Sequence, residues 1–191
     1  MKKEKKKVLI VIDVQNDFVT GVLGTPEAEA IVPNIVKKVE EYRSNEDGII
    51  FTKDIHYDNY LETAEGKKLP IPHCIAGTVG CDIIPELNPD LSLNLAFNEK
   101  IYNKETFGYH WDHAAWLGWL RDEKPIYKIE IIGLCTDICV VTNALCLKTC
   151  YPDIELTVDA SCCAGTTPEK HKAALDVMES CQINVINRNN N

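Results

Sequence analysis

No stretch of this 191-residue chain approaches the roughly twenty consecutive apolar residues that a membrane-spanning helix needs. Positive charge is not in excess either. Twenty Lys and Arg stand against 29 Asp and Glu, a formal net charge of −9, and nucleic-acid-binding domains normally carry the opposite balance. The one basic cluster, Met1 to Lys7, leads into an apolar run, Val8 to Ile12, that stops at Asp13. That run is too short for the core of a secretion signal. Internal repeats, low-complexity tracts and composition shifts that would mark a linker are also missing. These absences lead to the expectation of a soluble, cytoplasmic protein with no nucleic-acid or membrane partner. With 45% hydrophobic residues the chain can bury a sizeable core, and a single domain over residues 1–191 is expected.

Cysteine, in contrast, is plentiful. Nine is an odd number, and a disulfide scaffold is usually a shorter chain with a thinner core. Cys135, Cys139, Cys146, Cys150, Cys162 and Cys163 fall in or beside segments that read as core strand and helix, where a free thiol behaves as a small hydrophobe. Reduced thiols are therefore expected. A zinc site built from Cys135, Cys139, Cys146 and Cys150 is the alternative, although four ligands along one helix surround a tetrahedral ion poorly.

Apolar runs bounded by turn residues alternate with stretches of helical period. Val8–Ile12, Gly48–Thr52, a segment within Leu95–Tyr102, Tyr127–Ile132, Ile154–Val158 and Ile183–Ile186 read as strands. Ala28–Arg43, Asp112–Asp122, Asp137–Cys150 and Pro168–Ser180 read as helices, the last with proline at its start. Repeated strand–helix–strand order implies an α/β fold, a mainly parallel sheet with helices on both faces. The long stretch from His56 to about Leu91 is rich in Pro and Gly, and loops of that length are often functional.

In such sheets ligands bind at the carboxyl ends of the strands. Three ends carry polar groups: Asp13 to Phe18, Lys53 to His56, and Gly133 to Cys139. Cys139 falls in the first turn of its expected helix, where free N–H groups and the helix dipole favour a thiolate and would lower its pKa. The same position suits one more packed thiol, and spacing does not choose between the two. Asp54 and His56, with Glu65 and His73 in the loop, form a plausible set of divalent-metal donors; ordinary loop histidines would look the same. Lys104, after the third strand, reads equally as a solvated charge.

Together these segments resemble a known family. Asp13-Val14-Gln15-Asn16-Asp17-Phe18 is similar to the opening signature of the isochorismatase-like cysteine hydrolases, the nicotinamidases in particular. Lys53-Asp54-Ile55-His56 followed by Pro72-His73-Cys74 to Gly80 resembles the metal loop, Lys104 with Phe107-Gly108 the lysine motif, and Gly133 to Thr142 the nucleophile motif. The resemblance spans Val8 to about Val185. It implies a three-layer Rossmann-like fold with a six-stranded sheet in the order 3-2-1-4-5-6. It also implies a metal-assisted amidohydrolase that converts nicotinamide to nicotinate and ammonia.

Carried across, Asp13 is the general base, Lys104 its electrostatic partner and Cys139 the nucleophile that forms a thioester. The N–H groups of Cys135 and Cys139 form the oxyanion hole, beside a cis peptide at Leu134-Cys135. Asp54, His56 and His73 are the metal ligands, joined by Glu65 in preference to Glu62. Zinc is the first expectation for the ion, and manganese and iron suit the same donors. Phe18 and Leu134 contact the substrate ring. Ile55 stands where many relatives have a second aromatic, so that side of the slot falls to Tyr57, Phe107 or Tyr109. Relatives often assemble, so a homo-oligomer is expected. Hydrolysis of another small amide or carbamoyl compound is the second expectation, and a thiol-rich redox or metal-responsive binding protein the third.

Overall fold

The computed structural model describes residues 6–87, 99–112 and 126–188. Six strands, β1 (Lys6–Ile12), β2 (Gly48–Asp54), β3 (Glu99–Lys104), β4 (Ile126–Leu134), β5 (Glu155–Ala164) and β6 (Asn184–Ile186), form one sheet. Its order is β3-β2-β1-β4-β5-β6, with every neighbouring pair parallel. The expected α/β architecture and strand order are both present. The α-helices among the described residues are α1 (Asn16–Val19), α2 (Pro26–Ser44), α3 (Val141–Cys150) and α4 (Pro168–Ser180). None is long and apolar enough to cross a membrane, among the described residues. The helix expected over Asp112–Asp122 lies almost wholly outside the described residues.

β1 shows why the sheet is covered on both faces. Val8, Ile10 and Ile12 join one apolar cluster with Val140, Ala144, Leu175 and Met178, from the side of α3 and α4. Leu9 and Val11 join the opposite cluster with Ile31, Ile35 and Val39 of α2. A strand with alternate residues in two cores reads as a continuous apolar run, and each fully buried side chain contributes roughly 1.5–3 kcal/mol. Helix starts follow local chemistry. Thr25 Oγ1 accepts from Ala28 N at 3.1 Å ahead of α2, Thr167 Oγ1 from Lys170 N at 3.2 Å ahead of α4, and both helices open with proline.

Several elements differ from the sequence expectation, β2 running on to Asp54 and β4 to Leu134 among them. β3 extends to Lys104, because Asn103 and Lys104 pair with Lys53 and Asp54. β5 continues six residues past Val158 to Ala164. Polar residues hide that continuation. Asp159 is buried against Lys38 Nζ (2.9 Å) and Ser161 Oγ (2.7 Å), while Gly133 and Leu134 still pair with Cys163 and Ala164. The expected helix Asp137–Cys150 begins instead as a wider π turn, Thr136–Val140, in which Cys135 O accepts from both Ile138 N and Val140 N at 3.1 Å.

Burial alone would raise the pKa of Asp159, but Ser161, Lys38 and Asn187 lower it by more, so it is held below its usual 3.8. A depressed folded-state pKa stabilises above the unfolded value, and that contribution is lost as the pH falls through the folded one. Asp159→Ala should therefore lower unfolding free energy by about 2 kcal/mol at neutral pH. In urea titrations the gap to wild type should stay constant down to about pH 5 and close only below about 4. A gap that closes already between pH 7 and 5 would contradict this assignment.

Candidate active site

Parallel strands in register bring their carboxyl ends to one edge of the sheet. Asp54 and Lys104 are paired residues at the ends of β2 and β3. Asp13 follows β1 directly, in a left-handed conformation (φ 48°) that Asp tolerates better than most residues. Gly133, near the end of β4, has φ 123°, and a Cβ there would lie 2.1 Å from Ile12 O. Only glycine lets β4 approach β1 so closely, which sets the turn carrying Cys139 beside Asp13. The peptide Leu134-Cys135 is cis, as the resemblance implies.

Lys104 is the hub. Its Nζ lies 2.6 Å from Asp13 Oδ2, 3.2 Å from Asp54 Oδ1 and 3.7 Å from Cys139 Sγ, and only 4% of the residue is exposed. Burial would lower its pKa, but Asp13, Cys139 and Asp54 raise it by more, and it stays charged. Asp13 is fully buried, and its Oδ1 accepts from Thr52 Oγ1 at 2.6 Å. Burial raises the Asp13 pKa, Lys104 works against this, and the net shift is upward. For Cys139 the sequence expectation has the wrong sign. Burial first, and the neighbouring Asp13 carboxylate second, push the thiol well above its ordinary pKa, and Lys104 only partly compensates. The resting group is a protonated thiol in contact with a carboxylate whose own basicity is raised. Proton transfer between the two is what such a pair is built to do.

Beside these three residues stands a group that could hold a metal ion. One donor atom each from Asp54, His56 and His73 lies within 4.8 Å of the other two, and all three residues are buried. Asp54 Oδ2 is 3.0 Å from His56 Nε2 and 3.5 Å from His73 Nε2. Yet His56 Nε2, buried, makes no hydrogen bond of good geometry although Asp54 Oδ2 is so near, an arrangement that suits a donor set around a cation. His73 Nδ1 contacts Ile71 O at 2.9 Å, which fixes the tautomer that leaves Nε2 as a ligand. Burial would raise the Asp54 pKa, but the two imidazoles and Lys104 hold it well below the carboxylate range. Glu65 Oε1 stands 3.8 Å from both His56 Nε2 and His73 Nε2, whereas Glu62 is exposed on its own turn. These residues fit a divalent ion. No comparable group forms from the thiols among the described residues, and all nine cysteines are free.

Asp54, His73, Glu65 and Cys139 share a cavity of about 300 Å³, the low end of the range for ligand sites. Phe18, Leu134, Ile138 and Phe107 supply apolar walls, with Asp54, His73, Glu65, Cys135 and Cys139 reaching in. Phe18 meets the His73 ring edge-on, with centroids 5.5 Å apart. Of the aromatics expected opposite it, Phe107 lines the cavity. Tyr57 is half exposed and lines a separate surface depression, and Tyr109 stacks on Tyr102 instead. Ile55 packs against the core cluster on the α2 side rather than on the cavity.

Several supporting residues are absent from the sequence expectation. Gln15 clamps the backbone of Asp54: its Nε2 donates to Asp54 O at 2.8 Å and its Oε1 accepts from Asp54 N at 2.7 Å. Tyr60 packs under both imidazoles, 4.7 Å from His56 and 5.0 Å from His73. Asp17 Oδ2 accepts from Cys74 N at 2.7 Å and fixes the loop next to His73. A fully polar amide directly after a buried strand was the available signal for Gln15; nothing local marks Tyr60.

Comparison with known proteins gives a consistent result. The profile of the isochorismatase domain matches residues 7–190. The nicotinamidase/pyrazinamidase of Mycobacterium tuberculosis is 25% identical over 197 residues, 94% of this chain and 98% of that protein. The crystal structure of the nicotinamidase PncA from Bacillus subtilis superposes with a TM-score of 0.78 at 30% identity, covering 94% of this chain and 98% of that one. The pyrazinamidase/nicotinamidase of Streptococcus mutans gives a TM-score of 0.79 at 26% identity, covering 95% and 100%.

Proposed function

The chain belongs to the isochorismatase-domain family, and from that premise we propose that it is a nicotinamidase, hydrolysing nicotinamide to nicotinate and ammonia. The observation that carries the proposal is that Cys139, backed by Lys104 and Asp13, opens on the same cavity as Asp54 and His73, two of the three clustered donors Asp54, His56 and His73. Asp13 takes the thiol proton as Sγ attacks the carboxamide carbon. The N–H groups of Cys135 and Cys139 receive the oxyanion. Asp13 then returns the proton to the departing nitrogen, the C–N bond breaks, and ammonia leaves a thioester on Cys139. Water, deprotonated by Asp13, attacks the thioester carbon; the C–S bond breaks, Asp13 returns the proton to Sγ, and nicotinate leaves. Lys104 remains charged throughout and offsets the negative charge that passes between Asp13 and Cys139. A divalent ion, zinc first by donor chemistry, held by Asp54, His56 and His73 with Glu65 beside them, would supply a ligand point for the pyridine nitrogen and so orient the ring.

Among the described residues that line the cavity there is no Lys or Arg, so a carbamoyl acid would find no cationic side chain there to pair with its carboxylate. That favours a neutral aromatic amide. Wild-type protein should release ammonia from nicotinamide, and prolonged chelation should lower kcat/KM at least about a hundredfold, with recovery on adding zinc. Turnover of a carbamoyl acid in place of nicotinamide would refute the substrate, and turnover indifferent to chelation would refute the role of the metal.

A further inference from the structure

Asn143 lies on α3, one turn beyond Cys139, and is fully buried. Its side-chain amide can make four hydrogen bonds and makes all four. Oδ1 accepts from Tyr109 N at 2.8 Å and Trp111 Nε1 at 2.9 Å. Nδ2 donates to Phe107 O at 3.1 Å and Cys139 O at 2.8 Å. Only one orientation of the amide satisfies two N–H donors on one side and two carbonyls on the other. The chain from Phe107 to Trp111 is thus gripped on both sides of Gly108, and Gly108 sits so close to α3 that a Cβ would lie 2.9 Å from Thr142 Cγ2. Phe107 itself is 48% exposed and lines the substrate cavity. An aromatic with so little packing of its own takes its position from its backbone, and that backbone is bonded to the residue that also holds the carbonyl of Cys139.

We propose that Asn143 is a positioning residue that keeps the Phe107 wall of the cavity in register with Cys139 and thereby selects ring-bearing amides. This rests on the reading of Cys139 as the nucleophile of a substrate cavity. Asn143 touches neither substrate nor metal; it acts through Phe107 and the nucleophile turn.

The test uses two readouts on wild type, Asn143→Ala, Asn143→Asp, Phe107→Ala and the double variant Asn143→Ala/Phe107→Ala. One is kcat/KM for nicotinamide. The other needs no turnover: the ratio of Cys139 alkylation rates by N-phenyl iodoacetamide and by iodoacetamide, with the site assigned by peptide mapping. Wild type should prefer the ring-bearing reagent. Both Asn143 variants should lose roughly two- to tenfold of that ratio, as Phe107→Ala does. Nicotinamide kcat/KM should fall roughly ten- to hundredfold. The double variant should be little worse than either single one, because both changes remove the same wall. Asn143→Asp keeps the shape and the Oδ1 acceptor, and stands in if the alanine variant does not fold. The proposal is overturned if wild type shows no ring preference, if the ratio survives both Asn143 changes, or if the two effects multiply. Both alkylation rates falling together would likewise reduce Asn143 to a structural residue. Failure of wild type to hydrolyse nicotinamide would instead refute the proposed substrate, while the alkylation ratio would still decide the role of Asn143.

Discussion

Cys139→Ala should release ammonia from nicotinamide at less than about one ten-thousandth of the wild-type rate, while melting within a few degrees of wild type. The loss is large because no other group can take over the attack. Cys135 shares the cavity, but burial pushes its thiol up to about 12, aided by Asp137 and Asp13, whereas Cys139 Sγ has Lys104 Nζ 3.7 Å away to stabilise a thiolate. The fold should tolerate the change because the deleted atom is small, and the turn is held by backbone bonds from Cys135 O and by Asn143. Removing Sγ also removes a desolvated acidic group from beside the Asp13–Lys104 pair. Retention of a hundredth or more of wild-type activity would place the nucleophile elsewhere.

Asp13→Asn should separate proton transfer from nucleophilicity. Turnover is expected to fall by roughly a thousandfold, within the range for loss of a positioned general base. The same substitution removes the second-largest influence raising the Cys139 pKa and leaves Lys104 as its neighbour. The thiolate fraction should therefore rise, and iodoacetamide should alkylate Cys139 faster in the variant than in wild type. The ion pair at 2.6 Å becomes a contact between the ammonium and a neutral amide, so the variant should also be less stable, by about 1–3 kcal/mol. Faster alkylation with slower turnover can arise only if Asp13 moves protons for the reaction. Parallel loss of both would mean that the site has come apart.

Much of this arrangement could be read before any coordinates. Apolar runs gave the strands because a sheet covered on both faces needs them. Asp13, Asp54, His56 and Cys139 were noticeable because polar residues directly after such runs are costly unless used. The family resemblance supplied Lys104, which spacing alone leaves among the surface lysines; its place comes from the pairing of Asp54 with Lys104 across β2 and β3. What escaped was whatever depends on contacts distant in sequence. β5 reads as finished at Val158 because the partner of Asp159, Lys38, comes from a helix 121 residues earlier. The thiol pKa was given the wrong sign because a helix-start argument ignores burial and Asp13, both larger here. Tyr57 and Tyr109 were plausible ring contacts by sequence position, and the folded chain turns them to other surfaces.

The covalent role proposed for Cys139 is tested most directly by intact-protein mass spectrometry of protein quenched in acid during incubation with nicotinamide. A fraction of the wild-type protein should gain the mass of one nicotinoyl group in place of a thiol hydrogen. The adduct should map to the peptide containing Cys139, vanish on treatment with hydroxylamine, and be missing from Cys139→Ala. Turnover at the full rate with the adduct on another residue, or the same adduct in Cys139→Ala, would contradict the assignment of Cys139 as the nucleophile.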